Sequence, residues 1–144
     1  MIFEGDQANP SDLEKLVNLY GPFDIIIDDG GHTMKQQQFT LGFMFKSLNN
    51  GGIYVIEDLA TSRWGFANDK HKDFQNANNE QKITTLDYLK RLQNQSKSLS
   101  NFLTDEQSSY IEKYMEYCEV FPKTAKYESN DKFWDAGIGF IKKK

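Results

Sequence analysis

The sequence has one cysteine, no surplus of basic residues and no long apolar run, and each shortage excludes a class of protein. Cys118 has no second cysteine to pair with, so the chain has no internal disulfide and no Cys-x-x-Cys metal site, which suits a reducing cytoplasm. The net charge of −4 gives no basic field for nucleic acid. The longest apolar stretches have the length of strands, so no membrane span is expected. The first residues, MIFEGD, lack the regions of a signal peptide, and a cytoplasmic location is therefore expected.

What is present is enough for a core, with 38% hydrophobic and 14% aromatic residues. Two unbroken apolar runs, FDIIID at 23–28 and IYVIED at 53–58, are typical of strands covered on both faces. Between them, helical spacing extends from Met34 to Leu48, and Gly51-Gly52 closes the helix. MIFEG, at 1–5, is a shorter apolar run of strand type.

Helix signals flank these strands. Ser11 and Glu14 form a capping box for a helix that ends before Gly21-Pro22. Thr104 and Gln107 form a second capping box. Two later helices are predicted, from about Ile83 to Lys97 and from Asp105 to about Tyr117. The alternation of helices and strands predicts an α/β fold with a parallel sheet.

The second half of the chain is less regular. Residues 65–82 are polar and aperiodic, and they predict a long loop or lid. CEVFP, at 118–122, and DAGIGFIKK, at 135–143, are late strand candidates, and the glycines of the second mark a bulge or a close approach. We expect residues 1–144 to form one partial domain.

Acidic residues follow the first three apolar runs, at Asp6, at Asp28-Asp29 and at Glu57-Asp58. Ligands of parallel α/β sheets bind at the carboxyl ends of the strands. Successive strand side chains point to opposite faces, so one of Asp28 and Asp29 orients loop groups and the other reaches the crevice. A shared cation removes the cost of desolvating like charges. Asp29 and Asp58, on neighbouring strands, are therefore candidate ligands of a hard ion such as Mg²⁺.

His32 lies three residues after Asp29, at the start of a helix, and is a candidate base beside that ion. Simpler interpretations remain open for each residue. Asp28 or Asp29 can be a helix cap, His32 a structural histidine, and Glu57-Asp58 a polar strand end. A metal-dependent hydrolase is a further hypothesis, although the usual additional ligands are missing.

Three sequence blocks resemble a known family. GDQ at 5–7, FDIIIDDGGH at 23–32 and GGIYVIEDLATSRW at 51–64 are similar to class I S-adenosylmethionine-dependent methyltransferases of the macrolide-sugar O-methyltransferase type. The resemblance covers about residues 2–64 and is only general beyond them, and the family has serine where this chain has Gly31. It implies a Rossmann-like α/β fold, of which this chain is the C-terminal portion with a partial, mostly parallel sheet.

The resemblance also implies cofactors, site residues and a substrate. The cofactors are S-adenosylmethionine and Mg²⁺ or a similar divalent cation. The acceptor is a small-molecule glycoside or nucleotide-sugar-like compound, with neither nucleic acid nor membrane as a partner. The implied roles are metal ligand for Asp29 and Asp58, catalytic base for His32, and cofactor contact for Asp6, Gln7 and Asp28, with Asp6 near the adenine.

The glycine-rich turn and the first two strands of that family have no match here. No GxGxG-like turn follows a strand, so we expect half of a cofactor site. Two hypotheses follow: the catalytic portion of an O-methyltransferase, or an inactive fragment that serves as a binding or assembly module. Without the two strands, FDIIID becomes a sheet edge, and we expect either homo-oligomers through that edge or pairing of MIFEG with it.

Overall fold

The structure is a computed structural model that describes residues 2–62, 83–97, 99–121, 127–129, 132–134 and 137–144. The helices are α1 (Pro10–Tyr20), α2 (Met34–Met44), α3 (Thr85–Gln93) and α4 (Asp105–Tyr114). The strands are β1 (Phe23–Asp28), β2 (Leu48–Ile56), β3 (Met115–Phe121), β4 (Tyr127–Ser129), β5 (Lys132–Trp134) and β6 (Ile138–Lys143). Short 3₁₀ helices cover Phe45–Ser47 and Leu59–Ser62. The predicted loop or lid at 65–82 lies outside the described residues.

The main sheet has the strand order β1-β2-β6-β3. β1 and β2 are parallel, whereas β6 is antiparallel to both β2 and β3. Of the four described strands of this sheet, β1, β2 and β3 therefore run in the same direction and β6 alone runs against them, which agrees with the predicted mostly parallel sheet. β4 and β5 form a separate antiparallel pair. Residues 2–6 form no strand, so the strand predicted for MIFEG is wrong.

The helices pack on one face of this sheet. Tyr54, Ile56 and Ile141 alternate onto that face and join the apolar sides of the helices in one buried cluster. Leu41 and Met44 of α2, Phe45 of the following 3₁₀ turn and Leu48 of β2 all belong to this cluster and are at most 3% exposed.

The opposite face of the sheet is largely open. Ile25 and Ile27 are 62% and 61% exposed, so the prediction that β1 is covered on both faces is wrong. The reason is that the contacts of the described helices fall on the other face. In the part of the chain that the structure describes, no helix has the length and apolar character needed to cross a bilayer.

The N-cap residues show which local sequence signals set the start of each helix. Asn9 caps α1, because its side chain accepts a hydrogen bond from the Ser11 backbone and Pro10 takes the first helical position. The capping box predicted for Ser11 and Glu14 is therefore wrong. The box of Thr104 and Gln107 at α4 is confirmed.

The glycine signal in the last strand marks a close approach. A Cβ on Gly139 would lie 2.7 Å from a Leu89 methyl carbon, so helix α3 packs directly on the backbone of β6.

Candidate active site

The parallel pairing of β1 and β2 brings their carboxyl ends to one edge of the sheet. Asp28 pairs with Ile56 at the end of the register, and the chain continues into Asp29 on one side and Asp58 on the other. Asp29, His32 and Asp58 each offer a ligand atom, and these atoms lie within 4.8 Å of one another. Nε2 of His32 is 3.3 Å from Oδ2 of Asp58. The expectation that these side chains converge is confirmed, while their roles as ligands and base stay predictions.

The loop that carries His32 is fixed by the start of α2. Thr33 is the N-cap residue, and it forms a capping box with Gln36 that the sequence reading missed. Asp28 and Asp29 are therefore not the helix cap. The His32 side chain is one-third exposed, and its Nδ1 is buried with no hydrogen-bond partner among the described residues. Nε2 is thus the ring nitrogen that faces the acidic cluster.

Asp28 is the carboxylate that orients loop groups. Its side chain is buried and accepts hydrogen bonds from Nε2 of Gln7, at 3.0 Å, and from the Tyr54 hydroxyl, at 3.2 Å. Burial raises the pKa of Asp28, and hydrogen bonds from Gln7, Tyr54 and the Gly30 backbone oppose that rise. Asp29 is the exposed member of the pair, so the two neighbouring carboxylates lie in different surroundings.

Gln7 links this network to α2 and to the glycine pair. Its Nε2 also donates to Oγ1 of Thr40, at 3.1 Å, and its Oε1 accepts from the Gly31 backbone. Tyr54 and Thr40 were missed by sequence reasoning. The sequence does contain a signal for Tyr54. A tyrosine inside an apolar strand is expected to be buried, and its buried hydroxyl then needs a hydrogen-bond partner.

A cavity of about 360 Å³ lies between α1, α2 and the end of β1. Gln7, Asp28 and Asp29 contribute its polar lining, and Leu13, Ile26 and Tyr54 are among its other lining residues. Asp6, the third predicted cofactor residue, is exposed and does not line it, and its carboxylate accepts a hydrogen bond from the Ala8 backbone. The cavity and the acidic cluster share Asp29, so they are adjacent at the end of β1.

Comparison with known proteins supports the resemblance seen in the sequence. No family model matches the chain. It is 40% identical over 87 residues to the 8-demethyl-8-alpha-L-rhamnosyl tetracenomycin-C 2'-O-methyltransferase of Streptomyces olivaceus, covering 60% of this chain and 21% of the relative. It is 47% identical over 66 residues to the demethylmacrocin O-methyltransferase of Streptomyces fradiae, covering 45% of this chain and 17% of the relative. The chain thus spans about a fifth of the length of these curated relatives.

Solved structures extend the likeness to almost the whole chain. MycE methyltransferase from the mycinamycin biosynthetic pathway, in complex with Mg, SAH and mycinamycin VI, matches with a TM-score of 0.64 and 27% identity. The match covers 97% of this chain and 30% of that chain. The Rossmann-like α/β class and the resemblance to macrolide-sugar O-methyltransferases are both confirmed.

Proposed function

We propose that this chain is the catalytic portion of an S-adenosylmethionine-dependent, metal-assisted O-methyltransferase that acts on a sugar hydroxyl of a small-molecule glycoside. The observation that carries the proposal is the convergence of Asp29, His32 and Asp58 within 4.8 Å at the sheet edge. The partial matches to sugar O-methyltransferases support the same reaction class.

The donor set fits a hard divalent cation. Two carboxylates supply the oxygen ligands that Mg²⁺ prefers. Two ligand atoms on opposite sides of such an ion are separated by about twice the bond length, or roughly 4–5 Å. The spacing of the Asp29 and Asp58 oxygens lies within that limit. These two residues would hold the ion, which would lower the pKa of a hydroxyl bound to it.

His32 would then remove the proton from the acceptor hydroxyl. Its Nε2 faces the acidic cluster, which suits proton transfer at that atom. After protonation, the Nε2–H would donate to the Asp58 carboxylate, and the negative charge would stabilise the imidazolium. General-base assistance of this kind is typically worth about 10²–10⁴-fold in rate.

The cavity beside Asp28 is the proposed position for part of the methyl donor. Gln7 and Asp28 supply its polar groups, and its apolar lining suits a flat ring. Since the sequence contains no glycine-rich turn after a strand, we expect this chain alone to bind S-adenosylmethionine weakly or not at all. Tight binding in a calorimetric titration would contradict that expectation.

Metal binding can be tested on this chain directly. Mn²⁺ titration followed by electron paramagnetic resonance should detect binding to the wild type and a loss of binding in Asp29→Asn. Asp12→Asn is the matched control, because Asp12 lies in α1 outside the site, where its carboxylate pairs with Lys15. An unchanged affinity in Asp29→Asn, or no binding to the wild type, would sink the metal proposal.

The base role is tested in any form of the protein that transfers a methyl group. His32→Ala should lower turnover by about 10²–10⁴-fold while changing cofactor affinity far less. His71→Ala is the control, because His71 is the other histidine of the chain and lies in the polar, aperiodic stretch at 65–82 of the sequence. Unchanged turnover in His32→Ala would remove His32 from this role.

A further inference from the structure

Buried Gln37 holds the backbone just before Asp58. Gln37 lies in α2 and is 1% exposed, and its Nε2 donates a hydrogen bond to the Glu57 carbonyl oxygen at 3.0 Å. The Glu57 backbone N–H donates to the Asp28 carbonyl, also at 3.0 Å. Both backbone polar groups of Glu57 are therefore fixed, one by α2 and the other by β1.

This fixation matters because Asp58 has an unusual backbone conformation. Its φ is +51°, in the left-handed region that residues other than glycine seldom adopt. The angle φ of Asp58 describes rotation relative to the peptide that contains the Glu57 carbonyl. Holding that carbonyl fixes the peptide plane from which Asp58 begins, and with φ at +51° this plane sets the direction in which the Asp58 side chain leaves the backbone. That side chain belongs to the cluster with Asp29 and His32.

Packing in the hydrophobic core does not by itself explain why this position holds a glutamine. Its Oε1 is buried and has no donor among the described residues, which is an unfavourable state for an amide oxygen. A methionine or leucine would fill the same space without that desolvation cost. The neighbouring Gln38 is different, because its Nε2 donates to the Ile83 carbonyl and its Oε1 accepts from the Ser100 hydroxyl.

We propose that Gln37 is a positioning residue for a divalent-cation site, acting through the Glu57 carbonyl to aim the Asp58 carboxylate. This inference rests on the proposed function, since it assumes that Asp58 is a metal ligand. Groups that orient metal ligands typically change metal affinity by 10–100-fold when they are removed. The effect should therefore appear in ion binding, apart from any effect on folding.

The test compares two neighbouring buried glutamines of one helix. Mn²⁺ affinity, measured by electron paramagnetic resonance on the chain, should fall by about tenfold or more in Gln37→Met. Gln38→Met should leave Mn²⁺ affinity unchanged, although it removes two hydrogen bonds. Urea denaturation of both variants gives the loss of stability that accompanies each change. If Gln37→Met does not fold, Gln37→Asn, which keeps the amide but is one methylene shorter, takes its place.

The possible outcomes separate this inference from the proposed function. Wild-type affinity in the folded Gln37 variant overturns the inference and leaves the proposed function standing. Equal losses of affinity in the Gln37 and Gln38 variants also overturn it, because they indicate a general effect of destabilising α2. Absence of Mn²⁺ binding to the wild type overturns the proposed metal site and this inference together.

Discussion

At the scale of single residues, the buried thiol of Cys118 makes the free energy of unfolding depend on pH over a defined range. It lies in β3 and is 5% exposed, and its thiol donates to the Leu89 carbonyl at 3.5 Å. Burial raises the pKa of the Cys118 thiol from an ordinary value of 9.0 to about 12. Because the folded-state pKa is the raised one, the stabilisation is fully present below pH 9 and is lost as the pH rises toward 12.

The expected result is a fall in the free energy of unfolding that depends on this thiol. Relative to Cys118→Ala, the wild type should lose about 1.4 kcal/mol between pH 8 and pH 10, since one pKa unit corresponds to about that energy. Urea denaturation of both proteins at the two pH values measures the difference. A constant difference between them would show that the thiol ionises equally in the folded and unfolded chains.

Some site residues were predictable from sequence because strand pairing places them together. Asp29 and Asp58 follow two apolar runs, and parallel pairing of those runs necessarily brings their ends to one edge. Tyr54 and Gln37 were not predictable in the same way. Their hydrogen-bond partners, Asp28 and Glu57, are distant in sequence. The exact register of β1 against β2 brings Tyr54 to Asp28, and the packing of α2 against the strand ends brings Gln37 to Glu57.

At the scale of secondary-structure elements, Lys143 joins the last strand to the end of the second helix. This lysine is 5% exposed, and its Nζ donates to the carbonyl oxygens of Lys46, at 3.1 Å, and Leu48, at 2.7 Å. Those carbonyls lie where the 3₁₀ turn after α2 passes into β2. The ammonium also lies 5.5 Å from the centre of the Tyr110 ring, which adds a cation–π contact.

Lys143→Met should lower the free energy of unfolding by about 1.5–3 kcal/mol, since it removes hydrogen bonds from a charged donor and leaves two carbonyls without it. Lys142→Met is the matched control. The Lys142 ammonium forms an ion pair with Glu116 at 3.0 Å, and both side chains are partly exposed. Its loss is therefore expected to cost clearly less stability than the loss of the buried Lys143 ammonium, because solvent screens an exposed ion pair. Chemical denaturation that gives equal losses for the two variants would contradict the linking role of Lys143.

Element boundaries were harder to predict than element types. The helix predicted from Met34 to Leu48 ends at Met44, because Leu48 already pairs with Phe23 in the sheet. From that pair to the pair of Ile25 with Ile53, β1 advances by two residues and β2 by five. The resulting bulge contains Gly51 at a φ of +78°. In the sequence, the glycines of this bulge resemble the glycines that end a helix. Only the register of β1 against β2 shows that they form a bulge in a strand.

At the scale of the whole molecule, β1 lies at an edge of the main sheet and carries two exposed isoleucines. Among the described strands it pairs with β2 alone, so its outer edge has no partner there. Pairing of MIFEG with that edge was one predicted remedy, and it is wrong because residues 2–6 form no strand. The open face of the sheet adds apolar surface, since Tyr117 and Phe121 are also 40% and 47% exposed.

Self-association is the remedy that stays a prediction, and we expect a second copy of this chain to cover the β1 edge. Pairing of two β1 strands about a two-fold axis would be antiparallel, and it would join two four-stranded sheets into one. Edge pairing would bring side chains of the two β1 strands into contact and so reduce the exposure of Ile25 and Ile27 in each copy, and the full burial of one isoleucine is worth roughly 1.5–3 kcal/mol. Sedimentation velocity at several protein concentrations should show a dimer of the wild type. Ile27→Lys should shift it to monomer, whereas Leu19→Lys, an equally exposed apolar position on α1, should not. A wild-type chain that sediments as a monomer at every concentration would refute self-association through this edge.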